Sequence, residues 1–362
     1  MYFIFNKICL FIIAVYDLLL YYKIIQTHHF SVPVVSVGNI SIGGSGKTPF
    51  IYYLCKILIQ HNIKPVIVSR GYKKQSKGPV VVHNGKSRVV SSPSVCGDEP
   101  FMLANKLSDV PIVVDNKKFR AIQLAIDSFG PQIILLDDGF QSKYIKKNLD
   151  IVLFNTFHTK SDLKFFPFGK LRDDLKSLQK ADLVIFTKNN LSSKKNMVVS
   201  TLLPVLRQKN IPYIYSQTSF SLMRYPLKKD GDSFYWGCSQ PIERLNNQDK
   251  LFSFCGIADP ASFNKIIKSY SSNIVKHINF SDHYNYAKNE NDFLLYLQGL
   301  MSSNQKITGL LTTYKDFVKI QNLSSVFLQR VYDMKISFFV IDIEMFVDNK
   351  QLILEKIKTL DF

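Results

Sequence analysis

The sequence predicts an α/β fold: a parallel sheet with helices on both faces, joined to a second α/β domain and preceded by an apolar helix. Three observations carry this. Short, largely apolar runs suited to strands buried on both faces alternate with stretches of helical period. The first such run, residues 34–37, opens into a glycine-rich turn ending Gly46-Lys47-Thr48 and then a helix. Another, residues 131–136, ends in two adjacent carboxylates, Asp137 and Asp138.

A chain of 362 residues is long enough for two domains. Five cysteines, Cys9, Cys55, Cys96, Cys238 and Cys255, are far apart and form no C-x-x-C pair, which excludes a disulfide framework or zinc knuckle and suits a reducing compartment. The net charge of +18 draws anionic partners, either nucleic acid or the inner leaflet of a membrane. Its lysines are scattered, as in Lys73-Lys74 and Lys146-Lys147, and no aromatic-interleaved basic ribbon is present. Nucleic acid is therefore not the expected partner, and no obligatory protein partner is implied.

In chain order, residues 1–26 form the first segment. Residues 2–25 are apolar and aromatic but broken by Asn6, Lys7, Asp17 and Lys23, and the clean core of residues 8–16 is shorter than the ~20 residues of a spanning helix. Thr27-His28-His29 is no signal-peptide cleavage site. A membrane-associated helix lying in the interface is the expectation, with a buried core helix as the alternative. Residues 27–148 read as the nucleotide-binding domain: strand 34–37, helix 49–60, strand 64–69, strand 110–114, helix 119–129 and strand 133–136. Residues 149–362 read as the second domain, with strands at 149–154, 181–186, 251–255, 307–311 and 336–343 and a loop or hairpin excursion over 225–247.

The glycine-rich turn is a phosphate cradle. Backbone N–H groups of Ser41, Ile42, Gly43, Gly44, Ser45 and Gly46 converge, Lys47 reaches the β- and γ-phosphates, and the Thr48 hydroxyl holds Mg²⁺. A plain Gly-Ser turn would not require Lys-Thr at its end. The signature of P-loop NTPases has glycine where Ser41 stands. In a parallel sheet the tip bearing Asp137 and Asp138 lies beside that loop, where one carboxylate holds metal and its neighbour orients a nucleophile. Arg70 and Arg120, each close after a strand, are candidates to clamp phosphates.

Several blocks in order resemble the tetraacyldisaccharide 4'-kinases of lipid A biosynthesis: residues 37–49 (VGNISIGGSGKTP), 69–72 (SRGY), 97–100 (GDEP), 137–141 (DDGFQ), 166–172 (FPFGKLR), 256–260 (GIADP), 280–283 (FSDH) and 312–316 (TTYKD). The family carries Ser or Thr where Ser41 stands, His where this chain has Ser142, and Glu where it has Tyr314. The resemblance implies transfer of the γ-phosphoryl group of ATP, with Mg²⁺, to the 4'-hydroxyl of an acylated glucosamine disaccharide 1-phosphate at the cytoplasmic face of the inner membrane. It implies Asp98 as the base with His283 beside it, Lys47 and Asp138 at the transferring phosphate, and Thr48 with Asp137 or Asp138 on the metal. The alternatives are a membrane-associated P-loop ATPase or GTPase without a lipid acceptor, and a basic nucleic-acid-binding protein with an incidental nucleotide site.

Overall fold

The computed structural model describes residues 2–90, 92–191, 195–246, 248–270, 273–302 and 307–361. In chain order the elements are α1 (Tyr2–Tyr21), β1 (Val34–Gly38), α2 (Lys47–Gln60), β2 (Pro65–Ser69), β3 (Val80–Asn84), α3 (Pro93–Cys96), α4 (Asp98–Lys106), β4 (Pro111–Val114), α5 (Lys118–Phe129), β5 (Ile133–Asp137), β6 (Leu149–Asn155), β7 (Leu183–Thr187), α6 (Lys195–Arg207) and β8 (Tyr213–Tyr225). There follow β9 (Leu227–Asp230), β10 (Ser233–Trp236), β11 (Gln240–Ile242), β12 (Leu251–Cys255), α7 (Pro260–Tyr270), β13 (Ile274–Asn279), α8 (Glu290–Ser302), β14 (Gly309–Thr313), α9 (Tyr314–Ile320), α10 (Ser325–Asp333), β15 (Ser337–Val347) and α11 (Lys350–Lys358).

Two compact units result, one from residues 1–90, 94–218 and 345–362, the other from 91–93 and 219–344. The boundary expected at 148/149 thus falls inside the first unit. The reason is pairing: β6 runs parallel to β1 with Ile151 opposite Val37, and β7 continues from β6. Leaving β6 out would expose an edge of β1 whose five residues are all buried.

The first unit's sheet has the order β8-β7-β6-β1-β5-β2-β4-β3. Its pairs are parallel apart from β3, which lies antiparallel at the edge. Chain order reverses about β1, so the crevice for a ligand opens at the carboxyl ends of β1 and its neighbours β5 and β6. One core packs Ala121, Ile122 and Ala125 of α5 on Val66, Val68, Val113, Ile134 and Leu136. A second packs Val198, Val199, Leu202 and Leu206 of α6 with Ile40, Phe140, Val152, Phe154 and Phe186. Each fully buried aliphatic side chain stabilises by about 1.5–3 kcal/mol, which keeps these strand tips rigid.

Helix α1 forms as expected over Tyr2–Tyr21, and no helix among the described residues is long and apolar enough to cross a membrane. Asp17, the residue that interrupts the apolar run, pairs with Lys143 Nζ at 2.6 Å and Lys180 Nζ at 3.1 Å. Ile8, Phe11, Ile12, Val15, Leu18 and Tyr22 are exposed. Their spacing places them along one face, so α1 is not the buried core helix held as the alternative.

In the second unit β12 is flanked by β13 and β14, with β15 beyond β14, all parallel. The excursion expected over 225–247 resolves into the hairpin β9/β10 and the short β11, which pairs antiparallel with Leu222–Arg224 of β8. Buried Asp316 ties two strand ends together, accepting from Gly256 N and Thr313 Oγ1, each at 2.8 Å.

Candidate active site

Strand β1 delivers the chain to residues 39–46 at the carboxyl edge of the first unit's sheet. Two glycines are required by geometry. Gly46 caps α2 at φ 85, and a Cβ there would lie 2.6 Å from Met345 Cε. At Gly38 a Cβ would stand 2.5 Å from Phe140 Cβ, so only glycine lets β1 approach the 137–141 turn.

The loop is held from several sides. Buried Asn39 donates through Nδ2 to Ser41 O (2.6 Å) and Ser45 Oγ (2.9 Å). Its carbonyl accepts from Gln141 Nε2 at 2.6 Å. Asn155 at the end of β6 donates to Gly44 O, and Thr187 at the end of β7 donates to Ser45 O. These bonds within the chain preorganise the loop. Two of the expected phosphate donors have partners within the chain: Ile42 N donates to Lys170 O at 2.6 Å and Ser45 N to Gly43 O at 2.9 Å.

Lys47 Nζ lies 3.4 Å from Asp138 Oδ1, and Arg172 Nη1 lies 3.5 Å from Asp138 Oδ2. The same guanidinium donates to Asn39 Oδ1 at 3.2 Å and Ser41 O at 3.3 Å. Burial opposes the charge on Asp138, yet Lys47, Arg172 and Lys118 outweigh it and hold the carboxyl below its usual range. Asp138 adopts φ 50, and its carbonyl accepts from buried Lys118 Nζ at 2.6 Å. Lys118 also reaches Ser142 Oγ at 3.3 Å. Burial lowers its pKa, against the pull of Asp138 and Asp137.

Asp137 ends β5, opposite Val37 of β1. Its Oδ2 accepts from Ser69 Oγ at 2.8 Å, while Oδ1 is buried without a hydrogen-bond partner. Burial, then Glu99 and Asp138, push its carboxyl up to about 6. Asp138 Oδ1 likewise lacks a hydrogen bond. Asp137 Oδ1 without a hydrogen bond and Asp138 Oδ1 met only by Lys47 leave carboxylate oxygens for an all-oxygen donor set, which fits Mg²⁺, a cation that takes one or two carboxylates and completes its shell with phosphate and water.

The remaining expected residues divide. Arg70 is exposed and follows directly on Ser69, the partner of Asp137. Arg120 is engaged elsewhere: Nε and Nη2 form a bidentate pair with buried Asp115 at 2.7 and 2.9 Å. Asp98 is the first residue of α4, after Gly97 at φ 94. His283 belongs to the second unit, at φ 60, with Nε2 3.5 Å from Lys315 Nζ and 3.8 Å from Asp282 Oδ2. Sequence reasoning missed Lys118 and Arg172 as site residues. Lys118 sits in an unremarkable lysine pair, and Arg172 is visible only as the last residue of the 166–172 block.

Comparison with known proteins bears on this site. The family model described as Tetraacyldisaccharide-1-P 4'-kinase matches residues 3–358. A Tetraacyldisaccharide 4'-kinase of Desulfotalea psychrophila is 31% identical over 83% of this chain and 82% of its own length. That of Halothermothrix orenii is 30% identical over 94% and 90%. Among solved structures, LpxK from Aquifex aeolicus in complex with ATP is similar at a TM-score of 0.69 and 25% identity, covering 99% of this chain and 96% of that one.

Proposed function

The chain belongs to the tetraacyldisaccharide 4'-kinase family, and from that premise we propose how its residues move the γ-phosphoryl group of ATP to the 4'-hydroxyl of a tetraacyldisaccharide 1-phosphate. The observation that carries the reading is the convergence of Lys47 and Arg172 on Asp138 at the mouth of the preorganised loop. Two fixed cations there meet the charge that spreads over the equatorial oxygens in phosphoryl transfer. On ATP binding Lys47 exchanges Asp138 for the β- and γ-phosphates. Loop amides and Arg172 orient the triphosphate, with Arg70 beside it; Arg120 supports this edge from its pair with Asp115.

Thr48, Asp137 and Asp138 would hold Mg²⁺, which when bound supplies neutralisation of the phosphate oxygens. Asp98 takes the proton of the acceptor hydroxyl, with His283 tuning it. The exposed apolar face of α1 lies in the inner leaflet at the cytoplasmic face of the membrane, where the acyl chains of the acceptor reside, and the net positive charge favours anionic lipid.

The test is direct. Purified protein with γ-labelled ATP, Mg²⁺ and the acylated disaccharide 1-phosphate in detergent is expected to label the lipid, and Lys47→Ala to abolish labelling while retaining the fold. ATP hydrolysis that proceeds equally without the lipid, with no label transferred, would overturn the reading.

A further inference from the structure

Ser41 stands where the loop signature has glycine, and the structure shows what its side chain does. Ser41 is 1% exposed, and its Oγ lies 3.0 Å from Nε2 of His158, which is 6% exposed. The imidazole meets the ring of Phe154 edge-on, with centroids 5.4 Å apart. His158 N donates to Asn155 O, and Asn155 itself donates to Gly44 O. The turn after β6 therefore grips the loop twice, at Gly44 through Asn155 and at Ser41 through His158. Ser41 is also a junction, because its carbonyl accepts from both Asn39 Nδ2 and Arg172 Nη2.

We infer that His158 is a positioning residue for nucleotide binding: its imidazole holds the Ser41 hydroxyl and so fixes the loop segment on which Asn39 and Arg172 are anchored. The inference rests on the loop's being the cradle for ATP. A glycine at position 41 would leave a buried ring nitrogen unpaired, and a freed loop would have to be ordered by ATP itself. The cost then falls on ATP affinity. Lys47 and Asp138 belong to other elements and keep their places, and Arg172 stays held by Asp138 and Asn39 Oδ1, so once ATP has ordered the loop turnover at saturating ATP is spared.

The experiment measures ATP Kd by calorimetry, and KM and kcat with the lipid acceptor, for Ser41→Ala, Ser41→Thr, His158→Phe, the Ser41→Ala/His158→Phe pair and Lys47→Ala. Ser41→Ala and His158→Phe are each expected to raise Kd and KM for ATP about tenfold, as loss of one buried hydrogen bond does, with kcat within about twofold of the parent. Ser41→Thr, which keeps the hydroxyl, should restore near-parent affinity. The double variant should be no worse than the weaker single one, because both remove the same bond. Unchanged ATP affinity in folded Ser41→Ala, or fully additive losses in the pair, would overturn the inference. If His158→Phe fails to fold, the contrast between Ser41→Ala and Ser41→Thr still decides it. Lys47→Ala separates the underlying reading: if it binds ATP like the parent, the loop is not the cradle; if it alone loses ATP while Ser41→Ala does not, only the role of His158 falls.

Discussion

Lys118 donates its ε-ammonium to the main-chain oxygen of Asp138 at 2.6 Å, from a side chain almost wholly withdrawn from solvent. Asp138 is held at φ 50, a conformation costing an L-residue on the order of 1 kcal/mol, and this bond fastens it there. The carboxylate is thereby presented to Lys47 and Arg172. Lys118→Met should lower kcat/KM roughly ten- to hundredfold. Thermal stability should shift little, since the variant also removes the burial cost of the ammonium group. Parent-like kinetics in a folded Lys118→Met protein would show that the turn holds Asp138 without it.

At the neighbouring carboxylate stability and function oppose each other. The raised pKa of Asp137 means that its contribution to stability is complete below about pH 4 and is lost as pH rises through about 6. Without metal at pH 7.5, Asp137→Asn should therefore melt roughly a few degrees higher than the parent. It should also show weaker Mg²⁺-dependent activity, partly recovered at raised Mg²⁺ if Asp137 is a ligand; Asp138→Asn is tested in the same titration. A lower melting temperature for Asp137→Asn would contradict a burial cost for the Asp137 charge.

His158 has the reverse sign. Burial first, then Lys170 and Lys188, outweigh Asp162 and lower its pKa to about 4 from 6.5. The stability it confers is complete above pH 6.5 and is lost as pH falls toward 4. His158→Gln should therefore lose less stability than the parent between those limits, by on the order of 2–3 kcal/mol in denaturant titrations. Parallel curves for the two proteins would show that His158 is not buried neutral.

On α1 the exposed side chains of Phe11 and Ile12 contact solvent and contribute little to the fold. Phe11→Ser/Ile12→Ser should weaken partition into anionic vesicles by roughly ten- to a hundredfold per residue, from about 1.5–3 kcal/mol of burial each. The melting temperature should be unchanged, and KM should rise for the lipid acceptor but not for ATP. Undiminished vesicle binding would remove α1 from membrane association.

For the proposed base, Asp98→Ala and His283→Ala should each lower kcat by roughly 10² or more with little change in KM for ATP. The double variant should be scarcely worse than the more damaged single one. Multiplicative losses would mean that the two residues act separately.

The sequence alone determined the alternation of strand and helix, the loop from Ser41 to Thr48 and the carboxylates at the tip of β5, because these depend on local period and on residue types with one common use. Element ends shifted by one to four residues: α2 begins at Lys47 rather than Pro49, and β15 runs on to Val347. What needed tertiary structure were the partnerships between segments distant in sequence. The unit boundary moved to Thr218 because β6 pairs with β1 and β7 with β6, a pairing that apolar runs alone do not specify. Lys118, Arg172 and His158 joined the site from 20 to 133 positions away from the residues they hold. Arg120 turned instead to Asp115. Local period says which face of a segment is buried, whereas only the folded chain decides which buried donor meets which acceptor.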